Sequence, residues 1–244
     1  MTLATLTERL IVEPLVAAVF PARCPLCAAR LPSPLRGPLC AQCLADLPRH
    51  PPTVCLCGQP LFGTQTGRCG RCRRGLNPFE RGASLGPYEG LLRAAIHELK
   101  FRGRRRVAAQ LTRRLWALPS THALLEPEVV LVPVPLHPRR RLERGFNQSA
   151  LVAQELGRLA GRRCCAEALV RRRATPAQTG LSASARRTNV AQAFAVRRRG
   201  VIAGRTVVLV DDVYTTGATA LACARALREA GASAVQLVTL ARTA

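Results

Sequence analysis

Two adjacent carboxylates, Asp211 and Asp212, follow the four aliphatic residues Val207 to Val210 and precede Thr215-Thr216-Gly217-Ala218-Thr219. The aliphatic run has the pattern of a buried strand in a parallel sheet, which places both acids at its carboxyl end. Residues 220 to 230 then show helical spacing, with Leu221, Ala224 and Leu227 on one face and Gly231 suited to ending the helix. Strand, acidic pair, hydroxyl-rich turn and helix together suit a sugar phosphate. A helix start offers free N–H groups and a positive dipole to phosphate, and glycine lets the backbone approach it closely. Adjacent aspartates repel each other unless something bridges them, and a sugar diol or a magnesium ion would do so.

A second chemistry sits upstream. Eight cysteines form four pairs, Cys24/Cys27, Cys40/Cys43, Cys55/Cys57 and Cys69/Cys72, separated by twelve, eleven and eleven residues. Two thiolates on a tight turn grip one side of a zinc ion, and two such turns complete a tetrahedron. The stretch has too few apolar residues for its own core, so metal would supply its folding energy. Sequential pairing puts Cys24, Cys27, Cys40 and Cys43 on one ion and the other four on a second; interleaved pairing is the alternative. The Cys55-Leu56-Cys57 pair is one residue short, which puts the second site in question. Cys164, Cys165 and Cys223 lack such spacing and read as small core residues.

Cations form the third group. The formal net charge is +23, almost all of it arginine, and Lys100 is the only lysine. Such a surface attracts phosphates, nucleic acid or anionic membrane. Aromatic residues make up 4% of the chain, which weakens a base-stacking argument for single strands. Lys100 ends a helical pattern, where an ammonium can serve a ligand or stabilise the helix C-terminus. His137 can act as acid or base, or contact phosphate or solvent from a loop. The stretch 171 to 189 is polar and without periodicity. It reads as a hood over a site or as a solvated basic loop.

The elements that must position these groups alternate between strand and helix. Expected strands are 83–88, 129–134, 168–170, 193–196, 207–210 and 234–240; expected helices are 90–99, 106–118 and one from Asn147 to Ala160. Residues 136 to 146 are expected to be a loop. The fold class is therefore α/β, a largely parallel sheet flanked by helices with ligand at the strands' carboxyl ends, preceded by a small zinc-ribbon module. Three units are expected: an amphipathic helix within 1–21, a double zinc ribbon at 22–78 and an α/β domain at 79–244. The first helix reads as a packing element, since it has too few cations to favour a membrane surface. No signal peptide or transmembrane pattern is visible, and the expectation is a cytoplasmic protein with metal-bound rather than disulfide-bonded cysteines.

The motif VVLVDDVYTTGAT at 207–219 closely resembles the PRPP-binding motif of type I phosphoribosyltransferases. With the four cysteine pairs, Lys100-Phe101-Arg102-Gly103, PVPLHPRRRLERGFNQ at 133–148, and Thr175, Gln178, Arg186 and Asn189, the chain is identified as resembling the ComF family over nearly its whole length. The short third cysteine pair departs from that family's usual spacing. The resemblance implies that Asp211 and Asp212 hold the ribose 2′- and 3′-hydroxyls while Thr215, Thr216, Gly217, Ala218 and Thr219 cradle the 5′-phosphate. Pyrophosphate would then fall to Arg139, Arg140, Arg144 and Gly145, with Lys100, Gln178 and Arg186 as further candidates. Magnesium would accompany PRPP, and one or two zinc ions would be structural. No acceptor site is recognisable. An enzyme with an unknown acceptor and a non-catalytic protein handling single-stranded DNA both fit, and a DNA-translocating protein is an implied partner.

Overall fold

The computed structural model describes residues 22–33, 37–62, 67–171 and 193–243. The expected N-terminal helix and the stretch 172–192, with Thr175, Gln178, Arg186 and Asn189, lie outside the described residues.

Two short helices belong to the cysteine-rich part, α1 (Ala41–Ala45) and α2 (Gly70–Arg73). The α/β part runs β1 (Gly82–Pro87), α3 (Gly90–Phe101), α4 (Arg106–Trp116), α5 (Pro119–His122), β2 (Val130–Pro133), α6 (Pro138–Arg144), α7 (Gln148–Ala160), β3 (Arg163–Cys164), β4 (Leu169–Arg171), β5 (Phe194–Val196), α8 (Arg199–Ile202), β6 (Thr206–Tyr214), α9 (Ala218–Glu229) and β7 (Ala234–Arg242). Five strands form one sheet in the order β1-β7-β6-β2-β3, and every neighbouring pair is parallel. β4 and β5 pair antiparallel as a separate ribbon.

A parallel sheet needs cover on both faces, and the residue pattern supplies it. Val208, Val210, Val238 and Leu240 meet Leu92, Ile96, Leu99, Leu111, Leu115, Val152 and Leu156 of α3, α4 and α7. Val207, Leu209, Val235 and Leu237 face the alanine-rich α9, where Ala220, Cys223, Ala224 and Leu227 are buried. All nine residues of β7 are buried, which fits its place between β1 and β6.

Three expectations are corrected. The loop expected at 136–146 contains α6. Pro138 stands at the first turn, the His137 ring accepts a hydrogen bond from the Arg139 N–H at 3.2 Å, and Gly145 ends the helix at φ 72°. Helices begin well at proline and end well at left-handed glycine, and both signals were present. What was missing was apolar periodicity, because α6 buries nothing and Leu142 is 85% exposed. His137 is thus a helix cap, a role not anticipated. The strand expected to stop at Val210 continues through the acidic pair to Tyr214, since β7 is long enough to pair with it in continuous register. β3 was not foreseen; two residues carry too little pattern to be read.

The cysteine-rich part is fastened to the α/β part by polar contacts and by a shared apolar core. Gln110 of α4 accepts from the Leu39 N–H at 3.0 Å and donates to the Leu39 carbonyl at 2.9 Å. Leu31, Leu39 and Leu47 join the core containing α3 and α4. Gly82 at the start of β1 donates its N–H to the Leu56 carbonyl at 2.7 Å.

Candidate functional site

At the carboxyl end of β6 the two aspartates part company. Asp211 lines a recess of about 60 Å³ made by the bend Thr215–Thr219 and the first residues of α9. Its Oδ1 accepts from the Ser149 hydroxyl at 3.0 Å and from the Asp212 N–H at 2.9 Å. Ser149 stands in the first turn of α7, held there by Asn147, whose Oδ1 accepts the Ser149 N–H at 3.1 Å while its amide donates to the Val134 carbonyl at 3.0 Å. The carboxyl ends of β2 and β6 are thereby tied together. Asp212 instead meets the Lys100 ammonium at 3.0 Å, with both side chains mostly buried.

Desolvation, and then the charge of Asp212, push the Asp211 carboxyl up to about 7; the hydrogen bonds from Asp212 and Ser149 and the Lys100 charge only partly offset this. A proton or a ligand hydroxyl therefore suits Asp211, while Asp212 has a resident cation.

The bend is built for close approach. Gly217 takes φ 78° and precedes α9, and a Cβ there would collide with the Tyr214 ring. Thr215 and Thr216 are exposed, and α9 is twelve residues long, so its N-terminus carries a full dipole. Lys100 also lines a second recess of about 690 Å³, with Phe101, Arg102, Arg140 and Arg144. Arg144 lies over the Phe101 ring with 5.0 Å from guanidinium carbon to ring centroid. Burial lowers its pKa, and the Arg140 charge acts in the same direction. Arg139 is not in this group: it pairs with Glu143 one helical turn away at 3.0 Å and is largely exposed. Gly145 contributes its carbonyl, which accepts from Arg105 Nη2 at 3.3 Å, and the turn that stops α6.

The structure thus brings Asp211 to the threonine bend, Lys100 to Asp212, and Lys100, Arg140 and Arg144 to one recess. Ser149 and Tyr214 also reach these groups, and Arg242 stacks on the Tyr214 ring. Sequence reading missed them because their neighbours come from other strands and helices. Ser149, two residues after a capping asparagine at a strand's carboxyl end, had the best signal.

The cysteines gather as two tetrads, Cys24/Cys27/Cys40/Cys43 and Cys55/Cys57/Cys69/Cys72, with the sulfurs of each within 4.8 Å of one another. Pairing is sequential, and the short Cys55/Cys57 pair takes part. Sulfur separations are 3.8 Å for Cys24–Cys43, 3.6 Å for Cys27–Cys40, 3.6 Å for Cys55–Cys72 and 3.7 Å for Cys57–Cys69. A tetrahedron with zinc–sulfur bonds of about 2.3 Å has edges of about 3.8 Å, whereas a disulfide would be about 2 Å. The donor set and its spacing fit zinc. Cys164, Cys165 and Cys223 stay apart from both tetrads.

Comparison with known proteins agrees with this architecture. The family descriptions "Phosphoribosyl transferase domain" and "Double zinc ribbon domain" match residues 143–244 and 15–76. The sequence is 39% identical over 229 residues to the DNA utilization protein YhgH of Escherichia coli (strain K12), covering 91% of this chain and 98% of the relative. It is 33% identical over 230 residues to Competence protein F of Haemophilus influenzae, with the same coverage of 91% and 98%. The chain belongs to the ComF family. A solved glutamine PRPP amidotransferase from B. subtilis, complexed with ADP and GMP, aligns at TM-score 0.35 and 23% identity, over 55% of this chain and 26% of that one. On its family descriptions, strand order and cysteine geometry, this ComF-family chain combines a phosphoribosyltransferase-type parallel sheet with two zinc-ribbon-like cysteine modules. Among its described residues no helix is long and apolar enough to cross a membrane.

Proposed function

We propose that this ComF-family protein binds PRPP, or a related 5′-phosphoribosyl ligand, together with magnesium, and acts in competence-linked DNA uptake. The supporting observation is the juxtaposition of Asp211 with the Thr215–Thr219 bend in one recess at the end of the central strand. In this reading the amides of the bend and the start of α9 hold the 5′-phosphate, and the acidic doublet accepts hydrogen bonds from the ribose hydroxyls. The pyrophosphate extends toward Lys100, Arg140 and Arg144, whose guanidinium and ammonium groups match its charge. Magnesium would supply charge neutralisation to the pyrophosphate, with Asp211 and Asp212 as the chain's carboxylates at the site. The chain fits that arrangement, because Asp211 and Asp212 are already engaged by Ser149 and Lys100 and the ion would draw most ligands from the substrate. Lys100 orients Asp212, and Ser149 orients Asp211.

Calorimetry with PRPP and magnesium tests this. One saturable site per chain is expected, weakened strongly when magnesium is omitted and abolished in Asp212→Ala. A flat titration of the native protein at millimolar PRPP contradicts it.

A second reading is favoured by the net charge of +23: the scaffold holds single-stranded DNA, with a nucleotide phosphate in the bend and no turnover. The names of its relatives, a DNA utilization protein and a competence protein, support a DNA-linked process. Affinity for DNA would then fall steeply with salt, because each neutralised phosphate releases counterions. A docking surface for a DNA-translocating partner on the zinc-ribbon part belongs to the same reading. DNA binding absent even at low salt sinks it, and pyrophosphate release upon addition of an acceptor would establish catalysis instead. A cytoplasmic setting is proposed with either reading.

A further inference from the structure

Arg242, the last residue of β7, is only 4% exposed, and among the described residues no other arginine is buried to that degree. A buried guanidinium needs acceptors, and it finds them in the second cysteine module. Nη1 donates to the Cys57 carbonyl at 2.9 Å and Nε donates to Gln59 Oε1 at 3.1 Å. Its guanidinium carbon also lies 4.2 Å from the centroid of the Tyr214 ring. Tyr214 is the register partner of Arg242 and the residue immediately before the threonine bend. The hydroxyl end of the same ring reaches Gly217, whose missing Cβ is what leaves the ring room, and Phe79 stands edge-on at 6.4 Å.

These contacts form a chain from a metal-ligand residue to the bend. The turn Cys55-Leu56-Cys57 presents two consecutive carbonyls to the α/β part: that of Leu56 to the Gly82 N–H and that of Cys57 to Arg242. Close packing holds it there, since a Cβ on Gly82 would strike the Cys57 carbonyl. Among the described residues the first tetrad shows no such link to Tyr214 or the bend. Its contacts run to α3 and α4 instead: Leu39 pairs with Gln110, the Leu44 carbonyl beside Cys43 accepts from Arg114 Nε at 3.1 Å, and Cys24 and Cys43 share the core with Leu99 and Leu111.

We propose that the second cysteine tetrad positions the bend: an ion held by Cys55, Cys57, Cys69 and Cys72 fixes the Cys57 carbonyl, the carbonyl fixes Arg242, and Arg242 keeps Tyr214 seated under Gly217. When the tetrad lets go of its ion, the turn no longer holds its carbonyls in place. Arg242 then has one neutral side-chain acceptor for a buried charge and turns toward water, and the ring loses its cationic cover. The bend becomes looser without any ligand of the bend having changed. Arg242 and Tyr214 are positioning residues. The consequence for a 5′-phosphate rests on the binding mode proposed above; the consequence for the bend's rigidity does not.

Hydrogen exchange of the zinc-loaded protein tests this, read over residues 213–220 against α4 and α7 as internal references. Cys69→Ser/Cys72→Ser is expected to lower bound zinc by one ion per chain and to speed exchange at 213–220 at least tenfold, with little change in α4 and α7. Cys27→Ser/Cys40→Ser is expected to lower zinc by the same amount and leave 213–220 unchanged. Arg242→Met should reproduce the effect with both ions bound, and Arg242→Lys, which keeps the charge and can still reach one carbonyl, should restore most of the protection. Ribose 5-phosphate is the ligand probe, and its affinity should drop at least tenfold in Arg242→Met. Unchanged exchange at 213–220 in both Arg242→Met and the second-tetrad variant, or equal acceleration from the first tetrad, overturns the proposal. If the second-tetrad variant unfolds outright, the Arg242 pair alone decides. If native protein does not bind ribose 5-phosphate, the binding mode fails while the exchange result still judges the coupling.

Discussion

The two sides of the crevice are built by different means. On the bend side a small recess is formed mostly by backbone: a left-handed glycine, threonine hydroxyls and the start of α9, seated on Tyr214. On the cationic side a recess roughly ten times larger is formed by long side chains, Lys100, Arg140 and Arg144, around the exposed Phe101. Asp211 belongs to the first and Asp212, through Lys100, to the second. A recess built of backbone tolerates little change, whereas three cations around one recess share a ligand's charge, so that losing one leaves the others in place. The acidic doublet should therefore be the least tolerant point and the cations the most tolerant.

The largest effect is expected from Asp212→Ala, which strands the mostly buried Lys100 ammonium and removes a ligand acceptor at once; PRPP affinity should fall beyond detection, with a loss of at least about 3 kcal/mol. Gly217→Ala comes next. It imposes a side chain at φ 78° and drives a methyl into the Tyr214 ring. Affinity for ribose 5-phosphate should fall about thirtyfold, equivalent to about 2 kcal/mol. Arg144→Ala should weaken PRPP about tenfold and leave ribose 5-phosphate unchanged, since only one ligand carries the pyrophosphate. Equal effects of Gly217→Ala and Arg144→Ala on both ligands would erase the distinction between the two sides.

A pH dependence sharpens it further. The Asp211 pKa in the folded chain, about 7, stands above its ordinary value of 3.8. The folded state therefore binds more protons than the unfolded one between these values. Stability falls as pH rises from about 4 to about 7 and is level above that, the reverse of an ion-paired carboxylate. A diol or cation prefers the ionised acid, so ligand binding should strengthen through pH 7 and release protons. Titrations in two buffers of different ionisation enthalpy read that release, and Asp211→Asn should abolish it. The smallest effect on the crevice is expected from Gln110→Ala. It deletes both hydrogen bonds to Leu39 and should lower stability by about 1–3 kcal/mol with ligand affinity intact.

Much of this arrangement was legible in the sequence. Val207–Val210, Asp211-Asp212 and the threonine turn carry strand, acid and helix-start signals in one continuous stretch, and four spaced cysteine pairs imply tetrads by ligand geometry. The pairing of those tetrads was not legible, because sequential and interleaved schemes share the same spacings; only folded sulfur positions separate them. α6 was hidden because a helix that buries no apolar side chain has no apolar stripe. The division of the doublet between Ser149 and Lys100 depends on α3 and α7 converging on one strand end, a long-range property that local pattern does not encode. Arg242 was hidden for the same reason, since a lone arginine in an arginine-rich chain gives no sign of being buried.

The central claim is that a pentose phosphate sits with its phosphate in the Thr215–Thr219 bend and its hydroxyls at the acidic doublet. Crystals grown with ribose 5-phosphate test it directly. The account predicts phosphate oxygens within hydrogen-bonding distance of the bend amides and sugar hydroxyls at the Asp211 and Asp212 carboxylates. A bound sugar phosphate confined to Lys100, Arg140 and Arg144, with the bend bare, would contradict it.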